Sequence, residues 1–191
     1  MKWIAVMAGA FTLAAPLAPA QTSAWKSDPA RSSVNFTIRH LSLSQVHGSF
    51  GNVDAVIHYD RADVSKSTVI ASIGVNTVNT GEAGRDDEIK SADFFDVDQF
   101  PKATFNSTEI SRNGNGLWVK GNLSLHGITR PVVLNVQGPD QPVMGSDGKA
   151  HSGFSATTTL DRTVFDIGPS FPAAIVGDQV QIQIHLEIVK E

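Results

Sequence analysis

Histidines and carboxylates are the residues whose types could carry chemistry in this sequence. A protein metal site needs several such residues at set spacing, as in the H-E-x-x-H pattern of a zinc-binding helix, and that pattern does not occur here. Strands can bring distant histidines together, but histidines at or just below a surface fit this scattered spacing better. We therefore predict no metal ligands. The six histidines are His40, His47, His58, His126, His151 and His185.

The carboxylates are concentrated in one stretch of the chain. Such a cluster could bind a cation or act as acid and base, but the D-x-[DN]-x-[DN]-G pattern of a calcium loop is absent. The G-x-S-x-G elbow, the phosphate-binding loop and the dinucleotide fingerprint are absent as well. We predict a solvated acidic loop, no catalytic residues and no cofactor. The acids are Asp86, Asp87, Glu88, Asp93, Asp96 and Asp98.

Arg85 stands beside this acidic stretch and has two interpretations. Its guanidinium could pair with neighbouring acids within the protein. It could instead meet the anionic head group of a ligand, because a planar guanidinium matches the oxygens of a phosphate.

The elements that would position these residues are strands, because apolar and polar side chains alternate with a period of two along most of the chain. Gly, Pro, Asn or Asp separates many of the runs. Many short strands with one apolar face favour a sandwich or a barrel. Eight antiparallel strands can close into a barrel that has room for side chains or for one small ligand and no exposed edges. The eight runs cover residues 34–38, 53–57, 69–75, 103–107, 117–125, 132–136, 154–160 and 180–188.

Residues 80–99 break the alternation and are rich in charge. We predict an excursion between the third and fourth strands, with a short helix over residues 85–92. Phe94 and Phe95 follow this helix. Neighbouring residues of a strand point to opposite faces, whereas on an irregular loop both rings can fold over an opening. The alternative is a loop that simply plugs the core.

The first twenty residues have the features of a secretory signal peptide. Lys2 precedes an apolar run over residues 4–15, and Ala18 and Ala20 fit an A-x-A cleavage site. The alternative, a buried N-terminal helix, does not explain this order of features. The domain would then be residues 21–191, and it contains no cysteine. Without Lys2 it has 14 basic and 19 acidic residues, which gives a net charge of −5. A weakly acidic chain with scattered basic residues lacks the basic patch of a nucleic-acid-binding protein.

The inward faces of the predicted strands would line an apolar lumen. Phe94 and Phe95 are predicted to cover its entrance, and Arg85 is the candidate for the head group. The candidate lining residues are Phe36, Ile38, Ile73, Phe105, Leu123, Leu125, Phe154, Ile182 and Ile184.

Several motifs follow one another in a specific order. They are Trp25, Asp28-Pro29, Ser33-Val34-Asn35-Phe36, His40 and Gly48-Ser49-Phe50; Thr80-Gly81, Arg85-Asp86, residues 90–97 and Phe100-Pro101; residues 105–108 and 121–132; and Phe154-Ser155-Ala156, Arg162 and Phe165. In this order and spacing the chain resembles the YceI-like family over essentially all of residues 21–191.

The resemblance implies a lipocalin-shaped antiparallel barrel with a helix-bearing loop, a periplasmic location and an interior that holds an isoprenoid or similar amphiphile. It implies no established catalytic residue, and it makes a homodimer one expected state. The chain departs from the family at Glu88-Ile89, where His-Leu is usual. It departs again at Val164 and Asp166, where an acid and a glycine are common, so the turn after Arg162 is expected to differ.

The function that these features favour is binding, sequestration or transport of a long-chain isoprenoid lipid, such as a quinone or a polyprenyl phosphate. Two alternatives stay open. One is an exported hydrolase or isomerase whose site is assembled from separate strands. The other is a stress or interaction protein whose barrel is packed with side chains from end to end.

Overall fold

The computed structural model describes residues 22–191, which form eleven strands and one short α-helix. The predicted signal peptide, residues 1–20, lies outside the described residues, and the division of the chain at residue 20 stays a prediction. The elements are β1 (Ser23–Ser27), β2 (Ser33–His40), β3 (Ser44–Phe50), β4 (Val53–Tyr59), β5 (Thr68–Gly74), α1 (Ala83–Lys90), β6 (Lys102–Asn113), β7 (Gly116–Leu125), β8 (Ile128–Gln137), β9 (Val143–Met144), β10 (Ala150–Asp161) and β11 (Val176–Lys190).

Eight of the strands form a closed ring in which every pairing is antiparallel. Around the ring the order is β11, β1, β4, β5, β6, β7, β8 and β10, and pairing between β10 and β11 closes it. The predicted eight-stranded barrel is therefore confirmed. Within residues 22–191, no helix has the length and apolarity needed to cross a bilayer.

The hairpin of β2 and β3 extends the wall at one end of the ring. β11 pairs with β1 near its C-terminus and with β2 over residues 176–185. A single bridge between Ser49 and Asn79 joins β3 to the segment that follows β5. The sequence pattern did not reveal β1, β3 or β9. In β3, the only large apolar residues are Val46 and Phe50, and all of the side chains are exposed or half-buried. An alternation of apolar and polar residues is therefore not visible in this strand.

A β-bulge in β6 changes which residues of that strand face inward. Phe105 and Ile110 are both buried, although five positions of regular strand would place them on opposite faces. The pairing with β7 shifts between Ser107 and Glu109, which inserts one extra residue and restores the inward face. Alternation alone therefore located Phe105 but not Ile110.

The helix in the long loop begins two residues earlier than the sequence pattern indicated. Glu82 is the N-cap, and its carboxylate accepts hydrogen bonds from the backbone N–H groups of Gly84 and Arg85. The helix ends at Lys90, and the Ser91 N–H donates to the Glu88 carbonyl. The loop itself lies between β5 and β6, as predicted.

Gly121 is buried in β7 at a point where two strands approach closely. A Cβ atom there would lie 2.5 Å from the Asn106 carbonyl oxygen and would also meet the Phe105 ring. We expect Gly121→Ala to lower the free energy of unfolding by about 1–3 kcal/mol, because the backbone of β6 must shift. The matched control is Gly51→Ala, since no atom lies within 4 Å of a Cβ at Gly51. Urea denaturation measures both, and equal stabilities of the two variants would contradict this account.

Candidate functional site

The barrel encloses an apolar cavity of about 350 Å³ at the end where β2 and β3 extend the wall. This volume lies at the lower end of the range for small-molecule sites. Side chains from nine strands line the cavity, because the inward face of most strands is apolar. The lumen is therefore not packed from end to end, which removes the interpretation that depended on a filled barrel.

The structure brings eleven of the twelve predicted ligand-binding residues to this cavity. That they contact a ligand stays a prediction. They are Phe36, Ile38, Ile73, Arg85, Phe94, Phe95, Phe105, Leu123, Leu125, Ile182 and Ile184.

Phe154 does not line the large cavity. Its ring packs 6.3 Å from the Tyr59 ring in the other half of the barrel. That half is nearly filled by side chains, and a space of only about 60 Å³ remains there. The alternation of β10 placed Phe154 on the inward face correctly, but it gave no information about depth along the barrel axis.

Further lining residues come from segments that lack strand alternation. Phe171 and Ile175 lie in the loop before β11, and Ile89 lies on α1. None of the three lies on a strand, so period-two alternation could not identify them. The one available signal was the apolar run of residues 171–176 between two aspartates.

The two phenylalanines after α1 lie across the mouth of the cavity. The Phe94 ring stacks on Phe171, with ring centres 4.8 Å apart, and the Phe95 ring meets the edge of Phe50 at 5.7 Å. Phe94 also covers Gly168, where a Cβ atom would approach the ring to 2.8 Å. Since an open cavity remains beneath them, the loop covers the lumen and does not plug it.

Arg85 reaches the cavity while hydrogen bonds hold it to the loop. Its Nε donates to the Thr80 hydroxyl at 2.8 Å, and Nη2 donates to the Thr80 carbonyl at 3.1 Å. Asp86 accepts from the Thr80 hydroxyl and N–H at 2.6 and 2.8 Å, and this bonding lowers the pKa of its carboxyl. Within residues 22–191, Arg85 forms no salt bridge, and Nη1 has no protein acceptor. No carboxylate of these residues therefore pairs directly with its guanidinium.

A second arginine, Arg162, is 4% exposed and also borders the cavity. All its N–H groups point at acceptors of the mouth loop, which here means residues 166–178. Because five carbonyls and one carboxylate surround the guanidinium, Arg162 holds this loop in place and has no free donor for a ligand. The acceptors are the carbonyls of Ile167, Gly168, Phe171, Val176 and Gly177, at 2.6–3.2 Å, and Asp178 Oδ1 at 2.9 Å.

The turn after Arg162 keeps the geometry that a glycine would allow. Asp166 has φ 57° and ψ 36°, the left-handed conformation that glycine usually occupies and that aspartate tolerates. The Asp166 N–H still donates to the Thr163 carbonyl at 3.1 Å. An aspartate at this position is therefore compatible with a left-handed turn, and a difference from the family's turn stays a prediction.

His126 packs against the same turn, and its contacts are structural. Its Nδ1 lies 3.1 Å from the Phe165 carbonyl oxygen, and its ring packs edge-on against Phe100 at 5.0 Å. In the part of the chain that the structure describes, no three His, Asp or Glu side chains come together as metal ligands would.

The sequence and the fold are similar to those of known proteins. Residues 25–188 match the model of the YceI-like domain. The chain belongs to the YceI-like family. A UPF0312 protein of Vibrio cholerae serotype O1 is 36% identical over 167 residues, covering 85% of this chain and 84% of the relative. Protein YceI of Salmonella newport is 36% identical over 160 residues, covering 83% of this chain and 81% of the relative.

Two solved structures share the fold. Burkholderia cenocepacia BcnA superposes with a TM-score of 0.74 at 26% identity, over 84% of this chain and 98% of BcnA. A polyisoprenoid binding domain from Saccharophagus degradans superposes with a TM-score of 0.64 at 15% identity, over 90% of this chain and all of that domain. At 15% identity, the similarity to this second structure shows a shared fold and nothing more.

Replacement of Arg162 tests how the mouth loop is held. We expect Arg162→Lys to lower the free energy of unfolding by about 3 kcal/mol or more, because an ammonium cannot reach acceptors arranged around a planar fork and leaves several unpaired. Arg112→Lys is the control, since Arg112 is exposed and makes one hydrogen bond, to the Arg61 carbonyl. Chemical denaturation measures both variants, and a stable Arg162→Lys protein would show that the network is dispensable.

Proposed function

We propose that this YceI-like protein binds a long-chain isoprenoid or similar amphiphilic lipid inside the barrel, and sequesters or transports it. One observation carries the proposal, which is the open apolar cavity of about 350 Å³ covered by Phe94 and Phe95. The polyisoprenoid binding domain with the same fold supports the choice of ligand.

The energetics of the cavity favour an apolar occupant. Burial of each CH₂ group is worth roughly 0.8 kcal/mol, so ten buried carbons would give about 8 kcal/mol before ordering costs. An empty apolar space also costs stability, at about 24 cal/mol per Å³ in well-studied cores, so an occupant that fills it stabilises the fold. The head group would stay at the mouth, where Arg85 and the exposed Arg39 border the cavity.

The predicted signal peptide supports a periplasmic site of action. In that compartment an isoprenoid has to cross water between membranes or enzymes, and a covered apolar lumen shields the chain during this step. A packed-barrel interaction protein would lack the open cavity. We therefore favour binding in the open cavity over the packed-barrel interaction protein.

Substitutions on the two faces of β5 test the proposal. Ile73 lines the cavity, whereas Ile70 is on the same strand and 59% exposed on the outer face. The wild type, Ile73→Trp and Ile70→Trp are purified from the periplasm, extracted with organic solvent and analysed by mass spectrometry. We expect a stoichiometric isoprenoid in the wild type and in Ile70→Trp, and its loss from folded Ile73→Trp because the indole occupies the lumen. Wild-type protein that yields no lipid and takes up neither quinones nor polyprenyl phosphates would refute the proposal.

Arg85 offers a test of the head-group contact. We expect Arg85→Gln to weaken binding of a polyprenyl phosphate by about tenfold, since a hydrogen bond to a charged group is worth about 1.5–3 kcal/mol. Binding of a quinone with a tail of the same length should change little, because its head group is uncharged. Titration calorimetry with both ligands measures the difference. Equal losses for the two ligands would mean that Arg85 only maintains the shape of the loop.

A further inference from the structure

Three apolar side chains protrude from the rim of the cavity. Leu43 is 88% exposed at the tip of the β2–β3 hairpin, and Leu41 and Ile175 beside it are 46% and 38% exposed. Residues 172–174, Pro-Ala-Ala, are exposed as well. We call residues 41–43 and 172–175 the mouth patch. Single exposed leucines are ordinary, but three apolar groups on two adjoining loops at a ligand mouth need a reason.

The backbone holds the mouth patch in a defined shape. Leu41 and Ser42 have φ values of 52° and 55°, which are uncommon for residues with a side chain, and a bulky residue rarely adopts them. The Leu41 N–H donates to the Ile175 carbonyl at 2.9 Å, so the hairpin tip and the mouth loop are joined. The Ile175 N–H donates in turn to the Pro172 carbonyl at 2.8 Å. The leucines therefore protrude from a fixed turn.

The patch is continuous with the entrance to the lumen. His40, next to the hairpin tip, borders the cavity, and so do Ile175 and Val176 on the mouth loop. Phe171 of the same loop carries the stacked ring of Phe94. A surface that touches the patch would thus lie directly against the opening and its cover.

The charge distribution around the patch is unusual for this chain. The sequence has 19 acidic and 15 basic residues, yet residues 41–53 and 167–177 contain no Asp, Glu, Lys or Arg. Arg39 precedes the first of these segments and is the nearest fixed charge in sequence to the hairpin tip. Among the residues that line the cavity, the acid is Glu88 of α1, which lies outside both segments.

We propose that the mouth patch inserts into the surface of a lipid bilayer, so that the lumen opens against the membrane from which its ligand comes. This inference rests on the proposed function, because a long apolar chain has negligible solubility in water and has to be exchanged at a membrane. An uncharged tip with protruding leucines fits the boundary between head groups and acyl chains. It does not carry the Trp, Tyr and Arg anchors that are typical of protein interfaces.

The lack of charged residues in the mouth patch favours a bilayer of zwitterionic lipids. Insertion is driven by apolar burial, since the patch itself has no cationic cluster to attract anionic lipids. The acids of α1 beside the mouth oppose a strongly negative surface. Binding to zwitterionic vesicles is therefore expected to be nearly independent of salt.

Vesicle co-sedimentation tests the proposal with the wild type and two double variants. Leu41→Ser with Leu43→Ser is expected to lower the partition coefficient into phosphatidylcholine vesicles by about tenfold for each leucine removed. The control is Val143→Ser with Met144→Ser, since these side chains are 65% and 71% exposed on β9. β9 pairs with the start of β10, whereas the cavity is bordered by Thr158 and Leu160 near the end of that strand. Equal losses in the two variants, or no vesicle binding by the wild type, would overturn the proposal.

A labelled protein gives a second measurement that keeps the native hairpin largely intact. Because the sequence has no cysteine, Leu43→Cys and Met144→Cys can each carry one environment-sensitive fluorophore. We expect the emission of the Leu43→Cys label to shift to the blue when vesicles are added, and that of the Met144→Cys label to stay unchanged. A Leu43→Cys label that remains in water overturns the proposal. So does one that shifts with protein concentration alone, because the partner would then be a second copy of the chain.

The outcome separates this inference from the proposed function. Ligand binding is measured in detergent solution, where no bilayer is present, and should be the same in the wild type and in Leu41→Ser with Leu43→Ser. If the wild type binds lipid in detergent but ignores vesicles, only the docking proposal fails. If it inserts into vesicles but binds no lipid, the proposed function fails.

Discussion

Closure of the barrel through β11 is the constraint on which the rest of the structure depends. This strand pairs with β10 along one edge and with β2 and then β1 along the other, which closes the ring of strands. Because the backbone groups of the wall bond to one another, the interior needs no polar side chains to satisfy them. An open apolar lumen is then compatible with a stable fold. The packed half of the barrel around Ile110 and Phe154 supplies the core.

Side-chain hydrogen bonds and aromatic stacking, and not strand pairing, hold the mouth of the cavity in place. Arg162 is buried among the carbonyls of the mouth loop, and a buried charge is tolerated only when its donors are satisfied. Phe94 then stacks on Phe171 of that loop. The cover, the loop and the hairpin tip consequently form one connected rim, in which residues 41–43 and 167–177 carry no Asp, Glu, Lys or Arg.

Sequence reasoning was most accurate where a regular period repeats. In β11, five apolar residues alternate with polar ones from Val180 to Ile188, and the strand and its inward face follow directly. It was least accurate where a bulge or a side-chain cap interrupts the regular period. The bulge at Ser107–Glu109 brought Ile110 inward, and the side-chain cap of Glu82 moved the start of α1. Phe154 lies on the predicted face but in the packed half, because alternation reports the side of a strand and not its height in the barrel.

By itself, the sequence determined the fold class, the inward faces of most strands, the position of the helix-bearing loop and the family, because all of these depend on local period and on the order of motifs. Only the tertiary structure decided that the lumen is open at one end and filled at the other. It also decided that Arg162 is a structural cation whereas Arg85 keeps a donor free, and that Leu43 and Ile175 share one rim. The reason is that each of these properties depends on distances between residues far apart in the chain, and closure of the ring sets those distances.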